Sequence, residues 1–321
     1  MHLKTTMFEN LIFITTVVLP VFLIVITGVI LKQFRIVDDI FIKSTSHFVF
    51  YVALPVLIFM KLHNVDLDSA FDIQMILIVV FGTIGTFLLA LLIAYYLKLS
   101  PQNEGVFVQG SFRSNFAIVS LAIIIRMYGT DVAAKAALLL LFAMPLYNLL
   151  AIIALTIPFY KSENINFKKM LLDIASNPLL IAVVLAILYS FLPFGLHSTL
   201  VTTGNYLSDT ALPIALLGIG GSLNMTSLKQ ASGEAIGAAF IKNILSPVLV
   251  VIIAIYLGIR GTDLGVLFLI FASPTAIASF VMAAGMKGNI KLAGNIIIIS
   301  TLSSLFTIIL GLFLLSFWNL I

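Results

Sequence analysis

The chain has 321 residues, 61% of them hydrophobic and 9% charged, with a mean hydropathy of +1.21. A soluble domain carries about 25% charged residues, so this composition excludes a water-soluble globule and points to an all-α integral membrane protein. The formal charge of +4 is scattered along the chain with no basic block for nucleic acid, and the absence of cysteine excludes disulfides, thiolate metal sites and cysteine nucleophiles.

A bilayer helix needs about 20 predominantly apolar residues. Cutting the chain at its charged and turn-rich points leaves ten such segments, at 11–33, 40–62, 72–98, 104–128, 132–160, 170–193, 198–223, 230–258, 264–286 and 290–318. The first apolar run, Leu11 to Leu31, is too long for a signal-peptide core and no small-residue cleavage site follows it, so it is expected to be retained. The longest polar connection, Lys161 to Lys169, falls at the midpoint and divides the chain into repeats at 1–160 and 161–321. Ten Lys and Arg residues lie in the odd-numbered loops, among them Lys43, Lys98, Lys168 and Lys229, against five on the other side, including Lys61, Arg126 and Arg260. Cationic loops stay in the cytoplasm, so both termini are expected outside a multi-pass cytoplasmic membrane protein.

The halves share landmarks in one register. Pro20 matches Pro178 and Ala53-Leu54-Pro55 matches Ala211-Leu212-Pro213 at an offset of 158, while Met127-Tyr128-Gly129 matches Met286-Lys287-Gly288 at 159. Five spans separate the copies, which inserts the second upside-down; such inverted 5+5 repeats supply two interconvertible half-structures.

Arg113 stands inside the apolar run Gln109 to Ile125, where an Arg costs about 2.5–3.5 kcal/mol on insertion scales and therefore needs a polar neighbour. Three readings are open: a structural ion pair with an acid such as Asp209, a substrate-facing guanidinium that grips a carboxylate with two hydrogen bonds, or snorkelling along a tilted helix. Ser114 and Asn115 follow it, and Ser273-Pro274-Thr275 repeats the pattern at an offset of 159. A mid-span proline removes a backbone donor, so the helix is expected to break near Pro274. Two crossing breaks would present helix N-termini to an anion; a packing kink is the alternative. Asp209 and Lys242 lie mid-span in the seventh and eighth segments, as mutual counter-charges or as coupling groups. His47 is a satisfied polar contact or a proton relay, His63 and His197 read as loop histidines, and Tyr147-Asn148 is a further polar pair near the site. Gly218 to Ser222 and Gly233 to Gly237 read as small-residue packing faces. No hydrolase, nucleotide or metal motif is present, so no enzyme activity, metal or cofactor is expected.

Tyr51-Val52-Ala53-Leu54-Pro55, Gln109 to Asn115, Pro213 to Leu223 and Ala272-Ser273-Pro274-Thr275-Ala276 together resemble the auxin efflux carrier family, whose bacterial members are described as malate or malonate permeases. The resemblance runs through nearly the whole chain and implies a ten-helix fold similar to bile-acid/sodium symporters, with a scaffold, a mobile transport domain and crossing breaks in helices 4 and 9. Asn115 then matches the crossover Asn and Pro274 the ninth-helix crossover Pro. The sequence departs from the family pattern in having no proline after Ser114-Asn115-Phe116 and in carrying Thr275 where an Asn is common.

The expected function is a secondary transporter of small organic anions such as malate, malonate or auxin-like carboxylates, working by elevator-type alternating access. Arg113, Ser114, Asn115, Asn148, Ser273, Pro274 and Thr275 are expected at the substrate, and Asp209 and Lys242 in coupling. A gated channel, a membrane receptor or a sodium-coupled bile-acid-type symporter are the alternatives. Proton or sodium coupling and a homodimeric arrangement stay open.

Overall fold

In the computed structural model the chain is described over residues 2–63, 71–156, 158, 172, 175–192, 195–223 and 232–321. The midpoint connection at 161–169 lies outside the described residues. Among the described residues the regular elements are helical, with one isolated backbone bridge. In chain order they are α1 (His2–Gln33), α2 (Asp39–Leu62), α3 (Ile73–Tyr96), α4 (Pro101–Phe112), α5 (116–128), α6 (130–156), α7 (Pro178–Ser190), α8 (Ser198–Ser222), α9 (Gly233–Tyr256), α10 (Gly261–Ala272), α11 (Ala278–Gly285) and α12 (Ile290–Phe317). Six stretches among the described residues are long and apolar enough to cross a bilayer: Phe8–Gln33 of α1, all of α2, α3, α9 and α12, and the α5–α6 run.

The helices start where a short polar side chain meets an apolar run. Asp38 accepts from the Phe41 N–H at 2.7 Å to cap α2, Asp72 accepts from the N–H groups of Gln74 and Met75 to cap α3, and Asn177 accepts from those of Leu179 and Leu180 ahead of Pro178 in α7. Such caps satisfy amide donors that the first helical turn leaves free. Gly129, with φ 84° and ψ −172°, separates α5 from α6 in a conformation open to glycine. Wide π-helical turns at Val49–Ala53 and Ile241–Leu245 precede Pro55 and Pro247. A widened turn makes room for a proline ring that would otherwise strike the carbonyl four residues earlier.

α1 and α8 pack backbone to backbone. A Cβ at Gly28 would run into the Leu217 carbonyl, and one at Gly220 into the Val25 carbonyl, so both positions require glycine. The second expected glycine face is weaker: Gly237 makes ordinary contact with Phe107 and Gly233 faces open space. Leu88, Leu92, Val248, Ile252, Phe306 and Leu310 stand exposed, an apolar exterior suited to lipid. Polar groups gather inside instead, where Gln109, Arg113, Asn115, Lys242, Asn243, Ser273, Thr275 and Ser300 are all buried around the ends of α4 and α10.

Candidate functional site

α4 stops at Phe112, the chain passes extended through Arg113 (φ −74°, ψ 106°), and helix resumes at Phe116. α10 stops at Ala272 and leads into extended Ser273 (φ −62°, ψ 149°) before α11. The two breaks lie antiparallel with Ser114 opposite Thr275. The Asn115 N–H donates to the Pro274 carbonyl at 2.8 Å and the Ala276 N–H donates to the Arg113 carbonyl at 3.1 Å.

The short hydroxyls replace bonds that the interrupted helices lose. Ser114 Oγ donates to the Ile270 carbonyl at 2.5 Å, and Thr275 Oγ1 donates to the Gly110 carbonyl at 2.6 Å. Ser300 Oγ accepts the Thr275 N–H at 3.1 Å, while the Ser120 and Ser273 hydroxyls share a bond of 2.7 Å. This support explains why α4 breaks without a proline of its own: the opposite chain supplies the partners.

Beside the breaks opens a cavity of about 890 Å³. Arg113, Ser114, Asn115 and Asn148 line it; Ser273, Pro274 and Thr275 stand behind its wall and hold the backbone. Arg113 is 6% exposed, and its Nη2 donates to Asn148 Oδ1 at 2.8 Å while Nη1 faces the Met282 sulfur. No carboxylate pairs with Arg113 among the described residues, and the lining contains neither Asp nor Glu. Asn115 is 7% exposed, and its carboxamide has no hydrogen-bond partner among the described residues. It is not among the fully enclosed unpartnered polar groups, so the amide opens onto the cavity, where a ligand can reach it.

Further lining comes from elements that the sequence reading did not connect to the site. α2 brings Lys43, Ser46 and His47, with the His47 ring 4.3 Å from that of Tyr51. The spacing of Lys43, Ser46, His47 and Phe50 is that of one helix face, a signal open to sequence reading once the cavity is in mind. Phe116, Ala117 and Ile118 at the start of α5, and Ala276, Ile277 and Ala278 leading into α11, line the same space. Helix starts carry amide donors and partial positive charge, which adds to the positive charge of Arg113 and Lys43 on a lining that is otherwise mostly apolar.

Asp209 and Lys242 do not neutralise each other. Lys242 is fully buried and donates from Nζ to the Phe271 carbonyl at 2.5 Å, close to the carbonyl end of α10. Asp209 lies exposed on a second, smaller cavity and pairs with neither Lys242 nor Arg113. Each sits mid-span in sequence, but helix rotation turns them toward different neighbours. His63 is the C-cap residue just past α2 and is buried, 6% exposed, with its Nδ1 3.1 Å from the Met60 carbonyl. His197 caps α8, its Nδ1 accepting the Thr199 N–H at 3.3 Å.

Comparison with known proteins places this geometry in context. The profile of a family described as membrane transport protein matches residues 13–312. A protein named as an uncharacterized transporter in Methanocaldococcus jannaschii is 28% identical over 300 residues, which cover 92% of this chain and 96% of that one. Another uncharacterized transporter, from Methanothermobacter thermautotrophicus, is 24% identical over 296 residues, covering 91% of this chain and 95% of its own.

Proposed function

The chain belongs to the membrane transport protein family, a transporter family and not an enzyme family, and from that premise we propose that it carries small organic anions such as malate, malonate or auxin-like carboxylates across the cytoplasmic membrane. The observation that supports this most is the Arg113 guanidinium, held without a counter-carboxylate on the wall of a cavity of about 890 Å³. A buried cation with no anionic partner favours a ligand that brings the negative charge. Two guanidinium donors and the free amide of Asn115 suit a carboxylate, with Asn148 orienting the guanidinium. The cavity volume suits a small molecule and not a polymer.

The ten-span reading counts α4 with α5 and α10 with α11 as two interrupted spans that cross at Ser114 and Thr275, one in each inverted repeat. On this reading the antiparallel pairing lies at the centre of the repeat symmetry, because Asn115 and Pro274 are equivalent at an offset of 159 and are also bonded to each other. Elevator-type alternating access then moves the crossing segments past α1, α2, α7 and α8. By the distribution of Lys and Arg, both termini lie outside and the cavity bordered by Lys43 opens to the cytoplasm.

Coupling is assigned to Asp209 and Lys242. Asp209 borders a cavity where a carboxyl can exchange protons, and the Lys242 ammonium balances the carbonyl end of α10. Asp209→Asn is expected to transport without dependence on a pH gradient; retained dependence removes Asp209 from coupling. The proposed transport itself is tested by counterflow of labelled malate and malonate in proteoliposomes, where saturable exchange supports a carrier and conductance without exchange supports a channel.

A further inference from the structure

A second cavity, of about 390 Å³, lies on the other side of the helix breaks. α2 passes from one cavity to the other: Leu54 lines the larger one, Leu57 and Lys61 the smaller. α8 does the same in reverse, with Leu212 on the smaller and Ile219 on the larger. α5 starts on the larger cavity at Ala117 and reaches the smaller at Arg126.

Several lining positions of the two cavities correspond at the repeat offset. Leu57 in the smaller cavity corresponds to Ala215 in the larger, and Leu212 to Leu54, both at an offset of 158; Ala122 corresponds to Val281 at 159. What differs is the chemistry. Lys61 replaces Ile219, Asp209 replaces Tyr51 and Arg126 stands at the level of Gly285, so the smaller cavity carries charges that its twin lacks at those points. Among the described residues neither Lys61 nor Arg126 forms an ion pair with Asp209.

Resting on the inverted-repeat transporter reading above, we propose that the smaller cavity is the anion-accepting vestibule of the opposite membrane face, where Lys61 and Arg126 receive the organic carboxylate. The larger cavity is its repeat-related twin, and the difference in volume records which face is open. Two cations against one carboxylate attract anions to the entrance, because a charged, low-dielectric cleft raises the local concentration of the opposite sign. Arg113 is replaced by Ala272 under the repeat and belongs to one side only.

The chain has no cysteine, so a single introduced thiol reports one place. Ser208→Cys, with Leu212→Cys as a second reporter, marks the smaller cavity, and Ala215→Cys marks the larger. Sealed vesicles are treated from each face with a membrane-impermeant sulfonate-bearing methanethiosulfonate, or with its trimethylammonium analogue. Ser208→Cys and Ala215→Cys are expected to react from opposite faces. Adding Lys61→Ala and Arg126→Ala to Ser208→Cys is expected to slow the anionic reagent about ten-fold and leave the cationic reagent no slower. Reaction of both cavities from the same face, or no effect of the two cations on the anionic reagent, overturns the proposal. Malonate counterflow in the same vesicles separates the two levels. Exchange with same-face labelling defeats the vestibule and leaves the carrier; absent exchange with opposite-face, charge-selective labelling defeats the carrier and leaves the vestibule.

Discussion

The backbone N–H of Asn115 donates to the carbonyl of Pro274 across 2.8 Å, while the carboxamide of the same Asn115 makes no bond within the described residues and lines the cavity. One residue thus ties the two breaks together through its main chain and offers its side chain outward. The division predicts that Asn115→Ala leaves stability unchanged and weakens the organic anion. A hydrogen bond to a charged group is worth about 1.5–3 kcal/mol, so the half-saturating malonate concentration should rise about 10- to 100-fold. Counterflow titration beside thermal unfolding of the purified variant checks both halves.

Arg113 is expected to act through charge and shape. Arg113→Gln should weaken anion binding at least ten-fold while the protein still inserts and unfolds near its normal temperature, since no carboxylate is orphaned by the change. Arg113→Lys should restore little, because an ammonium lacks the planar two-donor edge of a guanidinium. Unchanged affinity with a large drop in unfolding temperature would make Arg113 a structural residue.

The α1–α8 contact predicts a stability effect remote from the site. Gly220→Ala puts a methyl group against the Val25 carbonyl and should cost about 1–3 kcal/mol, read as a lowered unfolding temperature. Gly233→Ala, where the added carbon meets nothing within 4 Å, is the matched control and should change little.

Lys135 links α6 to two other elements, donating to Asp263 at 2.9 Å and to Asp72 at 3.2 Å. Burial acts to raise the Asp72 carboxyl, but the Met75 N–H and the Lys135 ammonium outweigh it and hold the carboxyl below its ordinary value. A carboxyl depressed in the fold contributes stability that is complete above its unfolded pKa and is lost as pH falls through the folded value. Unfolding temperature should therefore decline on acidification below the ordinary carboxylate range, and Asp72→Asn should flatten that decline. The group is a third exposed, so the effect is modest. An unchanged acid limb in Asp72→Asn would remove this pair from the stability of the protein.

Much of the architecture was legible because lipid imposes simple rules. The apolar runs, the breaks near Pro274 and the close glycine contact at Gly220 follow from backbone satisfaction and steric size, which are local properties. The site was legible in part. Arg113 and Asn115 stood out because polar groups are costly in apolar runs, and Asn148 because Tyr147-Asn148 is a polar pair in the apolar fifth segment. Ser273 and Thr275 carry the same sequence signal yet face backbone carbonyls or another hydroxyl, since residue type does not specify helix rotation. The same limit applies to Asp209 and Lys242, whose opposite charges and similar depth suggested a pair that the folded arrangement does not make. Lys43 reads as an orientation charge and His47 as a polar contact or proton relay; the sequence places neither at the cavity, because one helix's sequence does not show that α2 faces α5 and α11.

The central claim is that the cavity beside Arg113 and Asn115 carries small organic anions from one face to the other. It is tested most directly by counterflow of labelled malate and malonate in proteoliposomes of the purified protein, with Arg113→Gln alongside. Saturable exchange by the unaltered protein that is lost or weakened at least ten-fold in Arg113→Gln is the predicted result. A well-folded preparation that moves no organic acid, or exchange unaffected by Arg113→Gln, would contradict it.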